Sequence, residues 1–390
     1  MLARDYLVIG AGLAGAAVCE TLREYDPKGS VTMVGNESAL PYDRSRLAEG
    51  VLKAPTPELE AITFRPREWY EKHRIELRLE TILTELNLER RLAVLNSGQV
   101  ISFRKACLAT GSRARRPQVV GAQLGGVVAA RQLRDFLAMR EMALSAKNII
   151  VIGGGLLAAE VAAALREMGL GVSLLSPQKH LWQQWLDPRS AEWVTGFFEE
   201  RGVPLLHEAL NGFEGKTVLK NIQTKSGLRV PCGLAVLALG LDLNLGLVTR
   251  TPLGSPEGVP VSDLLETDEK GIYAVGDVAL FPDPLFGGVR RSEHKESTLA
   301  QAKIVGGNIT GKKRQRYKPF PHHGVTLFRT AFEFVGDFRT PPTRFEIDGD
   351  LSKGRFTAHY WQGSKRVAAF LCNPPAGAAE AAQEAIVKNR

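Results

Sequence analysis

Leu7-Val8-Ile9-Gly10-Ala11-Gly12-Leu13-Ala14-Gly15 is a short apolar run that ends in a glycine turn and opens a segment of small residues. In the spacing G-x-G-x-x-G each glycine has its own task. The first allows the tight turn out of a strand, the second lets the backbone approach a pyrophosphate, and the third lets the following helix pack closely on the sheet. The pyrophosphate then rests on the helix N-terminus, where unpaired N–H groups and the positive end of the helix dipole favour an anion. A second copy follows the apolar run Ile149-Ile150-Val151-Ile152, as Gly153-Gly154-Gly155-Leu156-Leu157-Ala158, with Ala158 at the third position, which the pattern allows. One such turn arises readily in any Gly-rich loop. Two in this context imply two dinucleotides on one chain, and moving electrons between them is the simplest use.

The two copies differ downstream. Val31-Thr32-Met33-Val34 reads as the second strand of the first β-α-β unit, and Glu37 stands just after it. An acid at about that distance accepts hydrogen bonds from the adenosine ribose. In the second copy the strand Gly171-Val172-Ser173-Leu174-Leu175 is followed by Ser176, where an acid is expected. Lys179 and His180 come next, either as solvated loop residues or as cations able to accommodate a 2′-phosphate, which keeps NADPH open beside NADH.

The chain has 390 residues, which at roughly 150 residues per domain gives two to three domains. An apolar share of 44% and a charged share of 24% are those of an ordinary globular protein. The apolar stretches are strand-sized, so no membrane span is expected. The first strand begins so near Met1 that no leader is expected either, which points to the cytoplasm. Cys19, Cys107, Cys232 and Cys372 are scattered and form no C-x-x-C pair, so no redox disulfide and no metal site is spelled; each reads as a small buried apolar residue. The net charge is +8, with basic runs at Lys312-Lys313-Arg314-Gln315-Arg316-Tyr317-Lys318 and Arg113-Ala114-Arg115-Arg116. No nucleic-acid motif accompanies them. They read as solvated loops or as a surface for an acidic protein partner, since complementary charge speeds encounter.

Along the chain an α/β order alternates. Strands are expected over 5–9, 31–34, 75–79, 92–95 and 106–109, with helices over 13–24 and 67–73 and an irregular Pro-rich stretch over 40–60. The second unit runs from Asn148 through a helix over 156–168 to Leu175, followed by a helix over 188–201 and strands near 203–206, 217–224 and 234–238. A strand over 272–275 and a helix over 297–309 close this pattern. After Phe320 short aromatic β segments suggest a separate small domain, before an Ala-rich end at 376–386.

Three further motifs join the glycine turns. Leu108-Ala109-Thr110-Gly111 is an A-T-G strand end. Thr267-Asp268 leads to Ile272-Tyr273-Ala274-Val275-Gly276-Asp277, a T-D…I-Y-A-x-G-D pattern. Leu40-Pro41-Tyr42-Asp43-Arg44 is similar to an L-P-Y-x-R stretch. In this order, over nearly the whole chain, they resemble the FAD/NAD(P)-dependent pyridine nucleotide-disulfide oxidoreductases. The branch resembled is that of oxygenase-type ferredoxin reductases, with rubredoxin reductases and apoptosis-inducing-factor-like proteins nearby. The resemblance implies two Rossmann-like dinucleotide-binding domains and a small α+β C-terminal domain. The FAD domain (1–115 and 246–320) would be interrupted by the NAD(P)H domain (116–245) and followed by the C-terminal domain (321–390). It assigns FAD to Gly10, Gly12, Gly15, Glu37, Arg44, Ala109, Thr110, Gly111, Arg131, Gly276 and Asp277. It assigns NAD(P)H, with NADH favoured, to Gly153, Gly155, Ala158, Glu160, Ser176 and Gly240. Arg44 would meet a phosphate, and Asp277 a ribityl hydroxyl while doubling as a helix N-cap. Glu160 reads either as a helix-surface acid or as the acid that lies near the nicotinamide.

The implied activity is electron transfer from NAD(P)H through the flavin to a small acidic one-electron carrier (ferredoxin, rubredoxin or Rieske type). No side-chain nucleophile is needed for it. A homodimer through the C-terminal domain is the family's suggestion. Two alternatives stand: an oxidase or quinone-type reductase, and an apoptosis-inducing-factor-like protein with an interaction role. The chain departs from the family at the flavin edge. Glu49 takes the place of a lysine that pairs with the acid at Glu160, so two like charges would meet and one pKa would rise, unless Arg46 or Lys53 supplies a cation. Gly324 stands near the usual aromatic, and His294 is placed to cover part of the flavin ring.

Overall fold

In the computed structural model, which describes residues 1–249 and 251–388, the chain folds into two compact units. The first is made of Met1–Ser45, Leu59–Arg113 and Asp242–Pro319. The second is made of Arg46–Glu58, Ala114–Leu241 and Phe320–Arg390.

The first unit is built on a seven-stranded sheet. Its strands run in the order Ile75–Arg78, Val31–Val34, Leu2–Ile9, Val100–Leu108, Leu92–Leu95, Leu83–Asn87, and Ile272–Ala274 also pairs with Val100–Leu108. Val31–Val34 and Tyr6–Ile9 are buried at every position, the continuous apolar spelling of a parallel strand covered on both faces. The register brings Ile9 level with Val34 and Leu108, and Leu108 level with Ala274. Four chain segments therefore leave the same edge of the sheet. The helices Leu13–Tyr25 and Lys295–Thr310 pack on one another in this unit; Gly306 lies so close to Thr21 that a Cβ there would sit 2.5 Å from its Cβ.

Arg23, buried near the end of the first helix, ties this unit together. Its guanidinium donates to the carbonyls of His73, Asp26, Gly29 and Arg74 at 2.6–2.9 Å. A charge out of water is tolerated when it is hydrogen-bonded, and four carbonyls serve Arg23.

The second unit repeats the scheme. Leu205–His207, Val172–Ser176, Ile149–Ile152, Leu234–Leu237 and Val127–Ala129 form an all-parallel sheet. Helices Leu133–Ala143, Leu156–Glu167 and Pro188–Glu199 accompany it. A three-stranded antiparallel sheet, Leu210–Gly215 with Leu219–Thr224 and Arg229–Pro231, adjoins it. The C-terminal segment forms an antiparallel sheet ordered His322–Leu327, Thr330–Gly336, Lys365–Cys372, Arg355–Gln362, Arg344–Asp350, followed by the helix Ala378–Lys388. Aromatic rings bind that sheet to the rest of its unit. Trp182 meets Phe332, Phe334 and Phe370 edge-on, and Trp193 meets Phe356 in the same way. Tyr360 donates its hydroxyl to Asp187 at 2.8 Å, and Asp187 also caps the helix Pro188–Glu199 by accepting from the N–H groups of Arg189 and Ser190.

Candidate functional site

The strand ends of the first unit gather nearly all of its predicted residues. Gly10 follows Ile9, Ala109-Thr110-Gly111 follows Leu108, and Gly276-Asp277 follows Val275. Gly10 has φ +121°, and a Cβ there would lie 2.0 Å from the carbonyl oxygen of Ala109. A Cβ on Gly15 would lie 2.0 Å from the carbonyl oxygen of Gly10, so the third glycine does serve helix–turn packing. Gly12 faces open space, with no atom within 4 Å of a Cβ. The helix that it caps has no side-chain cap and no acid in its first turn. A glycine cradle with bare N–H groups behind it is what a pyrophosphate needs, and the residues present fit that group.

Around this cradle the acids are already oriented. Asp277 is buried and accepts from Ser112 Oγ, while the Gly276 N–H donates to Gln301 Oε1 at 2.8 Å. Gly276 itself has φ +71°. Thr110 Oγ1 donates to the carbonyl of Asn244, and the Asn244 amide returns a bond to the Thr110 carbonyl, both at 2.9 Å. Glu37 and Arg44, expected on different parts of a nucleotide, are found on one another. Arg44 Nη2 donates to Glu37 Oε1, Tyr42 Oη donates to Glu37 Oε2 at 2.8 Å, and Arg44 Nη1 donates to Tyr42 Oη at 2.7 Å. Burial works against the Arg44 charge, yet Tyr42 and Glu37 more than offset it and hold its pKa above the usual value. Thus Arg44 serves here as the clamp of Glu37. Tyr42 lay within the quoted L-P-Y stretch without a role; its hydroxyl supplies one.

His294 is the N-cap residue of the helix Lys295–Thr310. Burial lowers its pKa, against the opposing pull of Glu293, Glu296 and Asp277, so the neutral imidazole is favoured. The next residue, Lys295, was missed by sequence reasoning. Its Nζ sits 2.5 Å from Asp43 Oδ2.

In the second unit Gly153, Ser176 and Gly240 come to one sheet edge, because Ile152 is level with Leu175 and Leu237. Gly153 has φ +140° and a Cβ there would lie 2.2 Å from the Ala238 carbonyl oxygen. Beyond Gly155, only the Trp185 ring, 4.0 Å away, meets a Cβ. The helix Leu156–Glu167 again lacks a side-chain cap and an acid in its first turn. Ala158 is fully packed, Gly240 has φ +91°, and the Gly240 carbonyl accepts from the Arg115 N–H. This turn too fits an anionic group. Arg131 follows the strand Val127–Ala129, in the second unit, whereas the other residues expected to hold FAD lie in the first.

The expected clash of Glu49 with Glu160 does not occur. Glu49 is mostly exposed and accepts from Lys53 Nζ at 3.0 Å, and the same Nζ reaches Glu167 Oε2 at 3.0 Å. The cation is therefore present, as Lys53, but it serves Glu49 and Glu167. The six-residue wide helical turn Ala48–Lys53 sets this arrangement, placing Glu49 and Lys53 four residues apart on one face. Glu160 has no charged neighbour behind its shift; burial alone pushes its carboxyl up to about 7. The Gly324 position is filled by its cross-strand partner. The Glu333 carboxylate lies where a Cβ would point, and it pairs with His322 Nε2 at 2.8 Å.

All four cysteines are buried and free. Burial pushes the thiols of Cys19, Cys232 and Cys372 up to about 12 and that of Cys107 higher still. None supplies a thiolate for disulfide or peroxide chemistry. Among the described residues no helix is long and apolar enough to cross a membrane.

The sequence model of a family described as pyridine nucleotide-disulphide oxidoreductase matches residues 4–303. The chain is 32% identical over 355 residues to the ferredoxin–NAD(+) reductase subunit of a benzene 1,2-dioxygenase system from Pseudomonas putida, covering 90% of this chain and 85% of that protein. It is 30% identical over 307 residues to a rubredoxin-NAD(+) reductase from Pseudomonas putida, covering 78% and 80%. Among solved structures, the ferredoxin reductase for the CYP199A2 system from Rhodopseudomonas palustris superposes with a TM-score of 0.89 at 26% identity, covering 95% of this chain and 91% of that one.

Proposed function

The chain belongs to the pyridine nucleotide-disulphide oxidoreductase family, and on that footing we propose that it oxidises NADH and delivers the electrons through FAD to a small ferredoxin- or rubredoxin-like carrier. The observation that carries this reading is the pair of glycine cradles, each opening onto a helix N-terminus with neither cap nor acid, in a chain whose thiols are all buried. FAD goes to the cradle of Gly10, Gly12 and Gly15, with Glu37, Ala109, Thr110, Gly111, Gly276 and Asp277 at the same edge. The pyridine nucleotide goes to Gly153, Gly155 and Ala158, with Ser176, Gly240 and Glu160. Arg131 is assigned to FAD from the second unit, and Arg44 acts on that nucleotide through the Glu37 that it holds. A cytoplasmic location accompanies this reading.

When bound, the flavin supplies the step between a two-electron donor and a one-electron acceptor. The protein supplies positions and charges. The first cradle offers N–H groups to a pyrophosphate, Asp277 is held in one orientation by Ser112, and Glu37 is fixed by Tyr42 and Arg44. Glu160 keeps a proton near neutrality that an exposed carboxylate would have lost.

Anaerobic mixing of the purified protein with NADH or NADPH is the direct test. Rapid bleaching of the flavin band with NADH, followed by cytochrome c reduction that depends on an added ferredoxin or rubredoxin, is expected. No bleaching with either donor overturns the reading. Rapid oxygen uptake without any need for a carrier favours an oxidase instead.

A further inference from the structure

Lys295 belongs to no motif, yet it closes a chain of contacts between the strand end at Gly276-Asp277 and the acid Glu37. It opens the helix Lys295–Thr310, whose Gln301 accepts the Gly276 N–H at 2.8 Å. Thr298 of the same helix lies 3.8 Å from where a Cβ on Gly276 would stand. Lys295 Nζ donates to Asp43 Oδ2 at 2.5 Å. Asp43 is buried, and its other oxygen, Oδ1, accepts from the Ser45 N–H at 3.0 Å and from the Ser45 hydroxyl at 2.6 Å. An aspartate that bonds the backbone two residues on builds a turn, and here the turn is Arg44–Arg46. Arg44 in that turn clamps Glu37. The main chain ahead of the turn is fixed separately, by the Asp43 N–H on the Ile62 carbonyl at 2.9 Å and the Phe64 N–H on the Pro41 carbonyl at 2.8 Å. A buried carboxylate that loses its cation is left as an uncompensated charge. It is then drawn toward water, and the turn built on its other oxygen moves with it.

We propose that Lys295 is a positioning residue for FAD. Through Asp43 and the Arg44–Arg46 turn it sets the place of Arg44, and so of Glu37, relative to Asp277, without touching the nucleotide itself. The inference rests on the proposed function, since it presumes that the first cradle takes FAD. The glycines of that cradle fix the chain where the ligand lies. Lys295 does something different: one ion pair joins the helix that supports Gly276 to the turn that holds Glu37. The two acids, which come from distant parts of the sequence, thereby share one support. An ammonium acts here as a single charged donor, so a guanidinium can replace it and a methionine of similar length cannot.

The test is FAD titration of the full-length apoprotein, followed by flavin fluorescence, on a double-mutant cycle with Arg44. Lys295→Met is expected to weaken FAD by about tenfold, and Lys295→Arg to restore most of that loss. Arg44→Met should weaken FAD by itself. Adding Lys295→Met to it should then lower affinity by no more than about twofold further, because the residue through which Lys295 acts is already gone. Asp43→Asn should match Lys295→Met, and serves as the check should the methionine variant fold poorly. Losses that multiply in the double variant overturn the inference, since they mark a direct contact with FAD or a general loss of fold. Unchanged FAD affinity in Lys295→Met, or in Arg44→Met, overturns it as well. Each of these results leaves the assignment of FAD to the first cradle intact. Failure of the native apoprotein to bind FAD overturns both.

Discussion

Two glycines of one turn are under opposite constraints. At Gly10 a side chain has no room: the backbone is at φ +121° and a Cβ would overlap the Ala109 carbonyl. At Gly12 it has room, and that room belongs to the ligand. Gly10→Ala is therefore expected to yield little folded protein. Gly12→Ala should fold with a flavin-free thermal midpoint equal to the parent's, yet lose about tenfold or more in FAD affinity, since a methyl group would displace a pyrophosphate from the N–H groups. Flavin fluorescence titration of the two apoproteins checks this; equal FAD affinity in Gly12→Ala and parent would remove the first cradle from the site. Glu160 gives a second expectation. Its folded-state pKa is raised from 4.5 to about 7 by burial. Below pH 4.5 it is protonated in both states and costs nothing. As the pH rises through this window the unfolded chain ionises first, so stability falls, by no more than about 3 kcal/mol once above pH 7. Glu160→Gln should abolish that loss. The difference in thermal midpoint between variant and parent should then grow from pH 4.5 to pH 7 and level off, and a difference independent of pH refutes the buried-acid description. The identity of such residues was legible in the sequence, because glycine spacing reports backbone constraints directly. Their partners were not: nothing in the spacing of Glu49 and Glu160 shows that Lys53 turns toward Glu49 and Glu167.

Elements were legible in proportion to how continuous their burial is. The runs Tyr6–Ile9, Val31–Val34, Ile149–Ile152 and Leu234–Leu237 are buried throughout, and each was readable as a parallel strand within a residue or two. The helix Leu133–Ala143 was not read at all; only Phe136, Met139 and Ala143 are buried among its polar residues, and its capping box uses Gln132 with Asp135, an unusual pair. The strand Leu83–Asn87 alternates poorly and carries a register shift, so it too escaped notice. The stretch over 40–60, expected to be irregular, holds the wide turn Ala48–Lys53, a form with no spelling of its own. Side-chain anchoring of elements is likewise invisible to periodicity, and Arg23 is the clearest case. Replacing it by Met keeps the bulk, but strips four carbonyls of their donor. The expected cost is about 3 kcal/mol or more, seen as a lower thermal midpoint and weaker flavin retention. An unchanged midpoint in Arg23→Met shows that the loops 26–29 and 73–74 do not depend on it.

For the whole molecule, the excess of positive charge is the property that a partner meets first. The net charge is +8, and part of it lies in the run Lys312–Lys318. That run is not uniformly available. All five basic residues of the run are exposed, but Lys312 donates to the Tyr25 carbonyl, Lys313 to the Tyr25 hydroxyl, and Arg316 is paired with Asp263. Exposed charges of one sign act at a distance, before contact, and salt screens them over about 8–10 Å. If the acceptor is an acidic carrier, its second-order reduction should slow by roughly tenfold as ionic strength rises from ~0.02 to ~0.5 M. The bleaching of the flavin by NADH, a small-molecule step, should change far less over the same range. Charge reversal at two of these exposed positions, Arg314→Glu with Lys318→Glu, should reproduce part of the high-salt behaviour at low salt while leaving the NADH step untouched. A carrier reaction indifferent to salt, or one that quickens with it, places the acceptor among neutral or basic proteins and removes the electrostatic reason for this chain's charge.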